Sequence, residues 1–174
     1  MPSVDTYKLK MGAGVRKNLY SVEFSLPDII KDVSAEEMIV EMVGSVQMPL
    51  ARKIEVTTID VAGDSFKIAT GKSAEEDITL KFNLEETMTL TNIFQLWMDV
   101  IQQDFNGVRT VPDVYKSPYF VINQLSHDGT IIKRTQVIGA FPTDMGRLEN
   151  EMSEPGHMEM SVVLSIDAHK PLTL

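Results

Sequence analysis

The chain has 174 residues, of which 43% are hydrophobic and 24% charged, so it suits one globular domain with enough apolar material for a core. Its 25 acidic residues against 16 Lys and Arg give a net charge of −9, which argues against tight binding to a nucleic-acid backbone. Cysteine is absent, which excludes disulfides, thiolate metal sites and cysteine nucleophiles. No early run resembles a signal peptide and no run reaches membrane-spanning length, so we expect a soluble protein made in the cytoplasm, without membrane insertion.

The first third of the chain begins without periodicity and then turns to strand patterns. Residues 1–16 contain MGAG and predict a flexible N-terminal arm ahead of a single domain over 17–174. The run KNLYSVEFSLP alternates apolar and polar side chains, which predicts a half-buried strand ending at Pro27. The acidic segment DIIKDVSAEE stays ambiguous, and MIVEMVGSVQMP indicates a second strand.

The middle of the chain predicts a hairpin, a strand and one helix. KIEVTTIDV and SFKIATG are separated by AGD, the pattern of a hairpin, and ITLKFNLE alternates as a further strand. TNIFQLWMDVIQQDFNG places its apolar residues at helical spacing, opposite a polar row. We expect Thr89 or Thr91 to cap this helix and Asn106 with Gly107 to end it.

The last third predicts a second hairpin and a closing strand. YFVINQL and TIIKRTQVIGAF flank the turn HDG, and Pro142 is expected to end the second of these strands. After a polar, acidic excursion, HMEMSVVLSID resumes the alternation. Its apolar row contains Met158, Met160, Val162, Leu164 and Ile166; its polar row contains Glu159, Ser161, Ser165 and Asp167, with Val163 as the exception. Seven or eight strands and one helix predict a mainly β fold of two packed antiparallel sheets, a sandwich or part-barrel, with a flanking helix.

The chain offers little sign of catalysis or of a cofactor. His127 falls in the HDG turn, His157 opens an H-x-E pair without further zinc ligands, and His169 lies in a predicted tail, so solvent-facing histidines are favoured over metal ligands. The clustered carboxylates are typical of solvated loops. P-loop, dinucleotide and nucleophile-elbow motifs are absent, so we predict no catalytic residue, no cofactor and no metal site.

Charge is distributed unevenly along the chain. Residues 28–41, 73–87 and 144–160 each carry five acids and one base, whereas residues 1–22 carry four bases and one acid. Such opposite charges can attract between copies, or can merely keep a monomer soluble. The candidates for contacts between copies are Lys8, Lys10, Arg16, Lys17, Asp144, Glu149 and Glu151.

The order of these elements resembles the tail tube proteins of contractile-tailed bacteriophages. The resemblance rests on Asn18–Val22, on Met48 with Pro49, on the G-h-h-P turn Gly139–Pro142 and on the closing strand Glu159–Asp167, and it covers roughly residues 17–168. Each motif alone is weak, and their order and spacing carry the match. The arm of about 16 residues and the acidic loop at 143–157 depart from the pattern.

The resemblance implies a structural protein in the tail of a virion. It implies hexameric rings whose inner strands join into a continuous β-barrel, and rings that stack into a tube inside a contractile sheath. The implied partners are the chain itself, the sheath protein, and baseplate and tape-measure proteins; DNA would pass through the lumen without specific binding. The polar row Glu159, Ser161, Ser165 and Asp167 is then the expected lining of the channel, because its apolar counterpart must face the core.

Two alternatives remain open from the sequence. One stays within the assembly class: a baseplate protein that initiates the tube, or the tube of an effector-secretion apparatus. The other is a soluble enzyme or small-ligand barrel, which predicts a monomer or small oligomer with a closed pocket and convergent polar groups.

Overall fold

In the computed structural model, residues 17–49, 54–61, 64–72, 77–102, 111–146 and 158–173 are described. Ten strands lie in these ranges: β1 (Tyr20–Ser25), β2 (Val43–Val46), β3 (Ile54–Val61), β4 (Asp64–Lys72), β5 (Ile78–Asn83), β6 (Tyr119–Leu125), β7 (Ile131–Ile138), β8 (Phe141–Met145), β9 (Glu159–Ser165) and β10 (Ala168–Leu172). The helices are α1 (Val33–Met42), α2 (Thr89–Gln102) and the short α3 (Pro112–Tyr115), and a 3-10 turn covers Asp28–Ile30.

Two four-stranded antiparallel sheets form the domain, which confirms the predicted fold class. The first sheet has the strand order β1-β6-β7-β10, and the second has the order β2-β5-β9-β8. One apolar cluster joins their inner faces. The first sheet contributes Val22, Phe24, Phe120, Ile122 and Val137, and the second contributes Ile78, Leu80, Phe82, Met160, Val162 and Leu164.

The predicted helix is α2, and it closes this core. Leu90, Phe94 and Trp97 are fully buried, whereas the predicted polar row faces solvent. The N-terminal cap differs from the prediction: Glu85 Oε1 accepts from the backbone N–H of Leu90 at 2.9 Å. Thr91 is instead buried inside the helix. The predicted stop at residues 106–107 lies outside the described residues.

The strand predicted over MIVEMVGSVQMP is wrong in its first half, because residues 38–42 belong to α1. Asp32 accepts from the backbone N–H groups of Ser34 and Ala35, which caps a helix start. Ala35 and Ile39, four residues apart, are both buried. This helical contact with the core overrides the β-branched composition of the segment, so only Val43–Val46 form a strand.

Two further expectations about strands are corrected. Pro142 does not end a strand; it lies inside β8, an edge strand, where its missing N–H leaves the central ladders intact. His169 does not lie in a tail, because Ala168–Leu172 form β10 and pair with β7. Both hairpins, β3–β4 and β6–β7, are confirmed.

Candidate assembly surfaces

The polar row predicted on the closing strand lies on the outer face of the second sheet. Glu159 and Ser161 of β9 stand opposite Asn83 and Lys81 of β5, while Met160 and Phe82 between them point into the core. Ser165 lies on the same side. We call this surface the second-sheet outer face; its polar residues are Thr79, Lys81, Asn83, Glu159, Ser161 and Ser165.

The second-sheet outer face carries both signs of charge. Lys81, which the sequence analysis did not single out, is exposed directly across from Ser161. The alternation of ITLKFNLE already placed it on the polar side of its strand. Asp144 of β8 aligns with Val163 and falls on this face as well. A residue predicted to contact another copy therefore shares a surface with those predicted to line a channel.

Asp167 differs from the rest of its predicted row. It lies at a bend after β9, where its two carboxylate oxygens accept from Lys116 Nζ at 2.8 and 2.7 Å. Its backbone N–H donates to the carbonyl oxygen of Ile138 at 3.0 Å. Gly139 lies beside it with φ +68°, and a Cβ there would overlap the carboxylate of Asp167. This residue therefore links three chain segments, and Lys116 offsets its charge.

The residues predicted for contacts between copies are only partly visible. Lys17 is exposed in the turn that precedes β1 of the first sheet. Asp144 is exposed on β8, an edge strand of the second sheet. Lys8, Lys10, Arg16, Glu149 and Glu151 lie outside the described residues. Two of the seven candidates are therefore within the described residues, one next to the first sheet and one in the second.

The β3–β4 hairpin carries an exposed apolar surface that sequence reasoning missed. Its strands pack chiefly against each other, and every described side chain on it is exposed. Ile59 stands directly opposite Phe66, and these two side chains are 37% and 53% exposed. The same face continues with Thr57 opposite Ile68 and with Val61 opposite Asp64, which is the acidic residue at its turn end. The other face is mainly polar, and its residues are Thr58, Lys67, Asp60 and Ser65 together with Val56 and Ala69. The hairpin therefore presents one mainly apolar face that no described part of the chain covers.

A polar network covers part of the outer face of the first sheet. Glu23 accepts from Tyr119 Oη at 2.7 Å, from Asn123 Nδ2 at 2.7 Å and from Arg134 Nη2 at 2.9 Å. The hydrogen bond from Tyr119, supported by Asn123 and Arg134, lowers the pKa of Glu23 against the opposing effect of burial. The same bond raises the pKa of Tyr119. These contacts tie β1, β6 and β7 together, which is a structural role.

Neither a metal centre nor a membrane helix is found in the described part of the chain. His127 is exposed in the β6–β7 turn, His169 lies on β10, and His157 lies outside the described residues. Within the described ranges, no three His, Cys, Asp or Glu side chains gather where they could hold a metal ion. The described helices are too short or too polar to span a bilayer.

Comparison with solved structures identifies the architecture. A chain from the extended sheath–tube complex of an extracellular contractile injection system aligns with TM-score 0.63 and 18% identity, covering 99% of this chain and 100% of its own length. The tube-terminating cap of the anti-feeding prophage aligns with TM-score 0.65 and 18% identity, covering 92% and 91%. The fold is that of a contractile-tail tube protein.

A third neighbour with the tube fold comes from the sheath/tube terminator of an extracellular contractile injection system. It has TM-score 0.62 and 18% identity, and the alignment covers 91% of this chain and 96% of that one. No protein-family model matches the sequence, and no curated protein does either. The likeness therefore lies in the three-dimensional arrangement of the strands, and it confirms the tail-tube resemblance at the level of fold.

Proposed function

We propose that this protein is a structural, non-enzymatic subunit of the inner tube of a contractile injection machine. In this proposal six copies form a ring, rings stack into a tube, and the tube lies inside a contractile sheath. The fold supports it because chains with the same fold come from sheath–tube, cap and terminator assemblies. The observation that carries the proposal is the uncovered apolar face of the β3–β4 hairpin.

The β3–β4 hairpin is not expected to be stable on the surface of an isolated monomer. A two-stranded hairpin is at best marginally stable alone in water, and within the described residues β3 and β4 pack chiefly on each other rather than on either four-stranded sheet. Four apolar side chains on one face, Ile59, Val61, Phe66 and Ile68, are each more than a third exposed. Burying them against a second copy would contribute several kcal/mol at roughly 25 cal/mol per Å². We therefore propose that a neighbouring subunit covers this face.

We further propose that the second-sheet outer face lines the channel. Among the described strands, β2 and β8 are the edges of this sheet. Joining such edges between copies would close a barrel and remove the hazard of uncontrolled strand pairing. The channel surface would then carry Glu159, Ser161, Ser165 and Thr79, with Lys81 as a compensating base. Small hydroxyls and few positive charges favour the sliding of DNA over its binding.

Contacts between rings are proposed for the N-terminal arm, residues 1–16, and for the acidic loop at 143–157. The arm is basic and the loop is acidic, so opposite charges would meet when one ring stacks on the next. Lys17 and Asp144, at the described ends of these two segments, are both exposed. Sheath, baseplate and tape-measure proteins are the proposed partners of the assembled tube.

Within this class, the proposed assignment is a bacteriophage tail tube that conducts the genome from the virion. A tube initiator at the baseplate and an effector-secretion tube are the alternatives. Neighbouring genes for a sheath and a tape-measure protein together with capsid genes would support the phage assignment. The same genes with secreted effectors and no capsid would support a secretion tube.

The hairpin provides the test of assembly. Wild-type protein is expected to form rings or tubes by negative-stain microscopy and sedimentation. Phe66→Lys is expected to abolish them with little change in melting temperature, because the side chain is exposed in the monomer. Thr58→Lys, on the opposite face of β3, is the matched control and should still assemble. A wild-type chain that stays monomeric at high concentration, with and without baseplate components, would refute the proposal.

A further inference from the structure

The edge strand β1 has an open side among the described strands. The N–H of Leu125 donates to the carbonyl oxygen of Leu19 at 2.9 Å, so the odd-numbered residues of β1 bond to β6 in this ladder. The backbone N–H and C=O groups of Val22 and Phe24 therefore point away from β6, to the side where no described strand pairs with β1. An edge of this kind is a template for one further strand.

A groove of about 450 Å³ lies beside this edge, between β1 and α1. Val33 and Val40 of α1 line it, and these side chains are 62% and 38% exposed. A strand added at the edge of β1 would direct every second side chain toward α1 and its two valines. The groove therefore offers an apolar contact next to the open side of a strand.

The same groove is acidic. Four glutamates line it: Glu23, Glu36, Glu37 and Glu41. Arg134 forms an ion pair with Glu23, and Glu36 accepts a hydrogen bond from the backbone N–H of Leu26. Glu37 and Glu41 are exposed, and no described Lys or Arg forms an ion pair with either of them. An occupant that brings positive charge is therefore favoured.

Strand β4 of a second copy has the matching properties. Phe66 and Ile68 lie on its exposed apolar face, and Lys67 lies between them on the other face. Strand β3 carries Glu55 and Asp60 instead, which would add acids to an acidic groove. Among the described strands β4 pairs with β3 alone, so its second edge is also open. The hairpin packs chiefly on itself within one chain, so β4 does not fill the groove of its own copy.

We propose that β4 of one copy pairs with the open edge of β1 in a neighbouring copy and so extends the first sheet of that neighbour. Phe66 and Ile68 then pack against the valines of α1, whereas Lys67 brings positive charge to the acidic groove. The hairpin and the groove are different surfaces of one chain, so the contact is heterologous and repeats from copy to copy, as a ring or a stack requires. This inference rests on the proposed assembly and specifies which two surfaces meet.

Disulfide trapping tests this contact, since the natural chain has no cysteine. The full-length double variant Val40→Cys with Ile68→Cys, oxidised after assembly, should give covalent trimers and larger species on a non-reducing denaturing gel. Ile132→Cys with Ile68→Cys is the control, because Ile132 is exposed on β7, two strands away from β1. We expect at least a fivefold higher yield of these species for the groove pair. Equal yields, or bonds formed only within one chain, would overturn the proposal.

Negative-stain microscopy of the same samples before oxidation separates this inference from the tube proposal. Rings or tubes that give no cross-linked trimers would overturn the groove contact and leave the tube proposal standing. Protein that neither assembles nor cross-links would overturn both. Cross-linked species together with visible rings or tubes are the expected result.

Charge reversal provides a second readout of the strand that enters the groove. Lys67→Glu should raise the protein concentration needed for assembly at least fivefold, measured by sedimentation, because β4 then carries an acid into an acidic site. Lys170→Glu makes the same change of charge at an exposed position on β10, the opposite edge strand of the first sheet, and should shift this concentration less than twofold. Equal shifts for the two variants would overturn the assignment of β4 to the groove.

Discussion

Trp97 Nε1 donates a hydrogen bond of 2.7 Å to the carbonyl oxygen of Tyr115, which joins α2 to α3 across a chain separation of 18 residues. The indole is fully buried, stacked near Phe94 and tilted against Phe24 of β1. A single side chain therefore connects the helix, the first sheet and the connection that leads into β6. The polar edge of the ring is satisfied, as burial of an indole requires.

Replacing this side chain should be strongly destabilising. Trp97→Ala is expected to lower the free energy of unfolding by about 3–5 kcal/mol, because it leaves a large cavity and an unpaired carbonyl oxygen. Leu96→Ala is the control on the same helix, since Leu96 is 52% exposed, and should change stability by less than about 0.5 kcal/mol. Urea unfolding followed by circular dichroism measures both. Equal stability of Trp97→Ala and wild type would contradict the buried position of the ring.

Two glycines with positive φ allow the cost of backbone strain to be distinguished from the cost of steric overlap when each is replaced by alanine. Gly129 (φ +84°) has open space where a Cβ would stand, whereas a Cβ on Gly139 (φ +68°) would overlap the Asp167 carboxylate. Gly129→Ala should cost about 1 kcal/mol from backbone strain alone. Gly139→Ala should cost clearly more, because it also displaces the Asp167–Lys116 ion pair. Thermal melts of the two variants test this, and equal losses would show that the overlap relaxes freely.

The Glu23 network predicts a dependence of stability on pH. The hydrogen bond from Tyr119 lowers the pKa of Glu23 below its ordinary value of 4.5 in the folded chain. The carboxylate therefore stabilises the fold above about pH 4.5, and this contribution is lost as pH falls through the folded-state pKa. Because the side chain is 40% exposed, the effect should stay below about 1 kcal/mol.

Comparison with Glu23→Gln isolates that contribution. The difference in unfolding free energy between wild type and variant should be largest near neutral pH and should shrink toward zero in acid, where the wild-type carboxyl is protonated. Denaturant titrations between pH 3 and pH 7 provide the measurement. A difference that stays constant over this range would mean that the charge of Glu23 plays no part.

The proposed channel lining predicts an effect on transport. Glu159→Lys adds positive charge beside Lys81 on the second-sheet outer face and should slow genome ejection from assembled particles, since DNA carries a dense negative charge. Asp113→Lys, an exposed change on α3 away from this face, is the charge-matched control. Asp167 is unsuitable for such a test because its loss would break the pair with Lys116. Normal ejection by Glu159→Lys, or a tube structure with Glu159 on the outside, would end the assignment.

Several elements could be predicted from the sequence because their periodicity is strong and local. β9 alternates without interruption from Glu159 to Val162, and α2 presents Leu90, Phe94 and Trp97 at helical spacing, so the burial of each row follows from its pattern. The HDG turn likewise predicted the β6–β7 hairpin, which the strand pairing confirms. The order of these elements carried the resemblance to tube proteins, which the fold confirms.

Other features depend on residues far apart in the chain. Residues 38–42 have a strand-like composition, yet capping by Asp32 and burial of Ala35 and Ile39 make them helical. Sequence spacing could not show that Lys116 contacts Asp167, 51 residues later, because that contact depends on the tertiary arrangement of the chain. The uncovered face of the β3–β4 hairpin was equally hidden: alternation shows which side chains share a face, but only tertiary packing decides whether another part of the chain covers it.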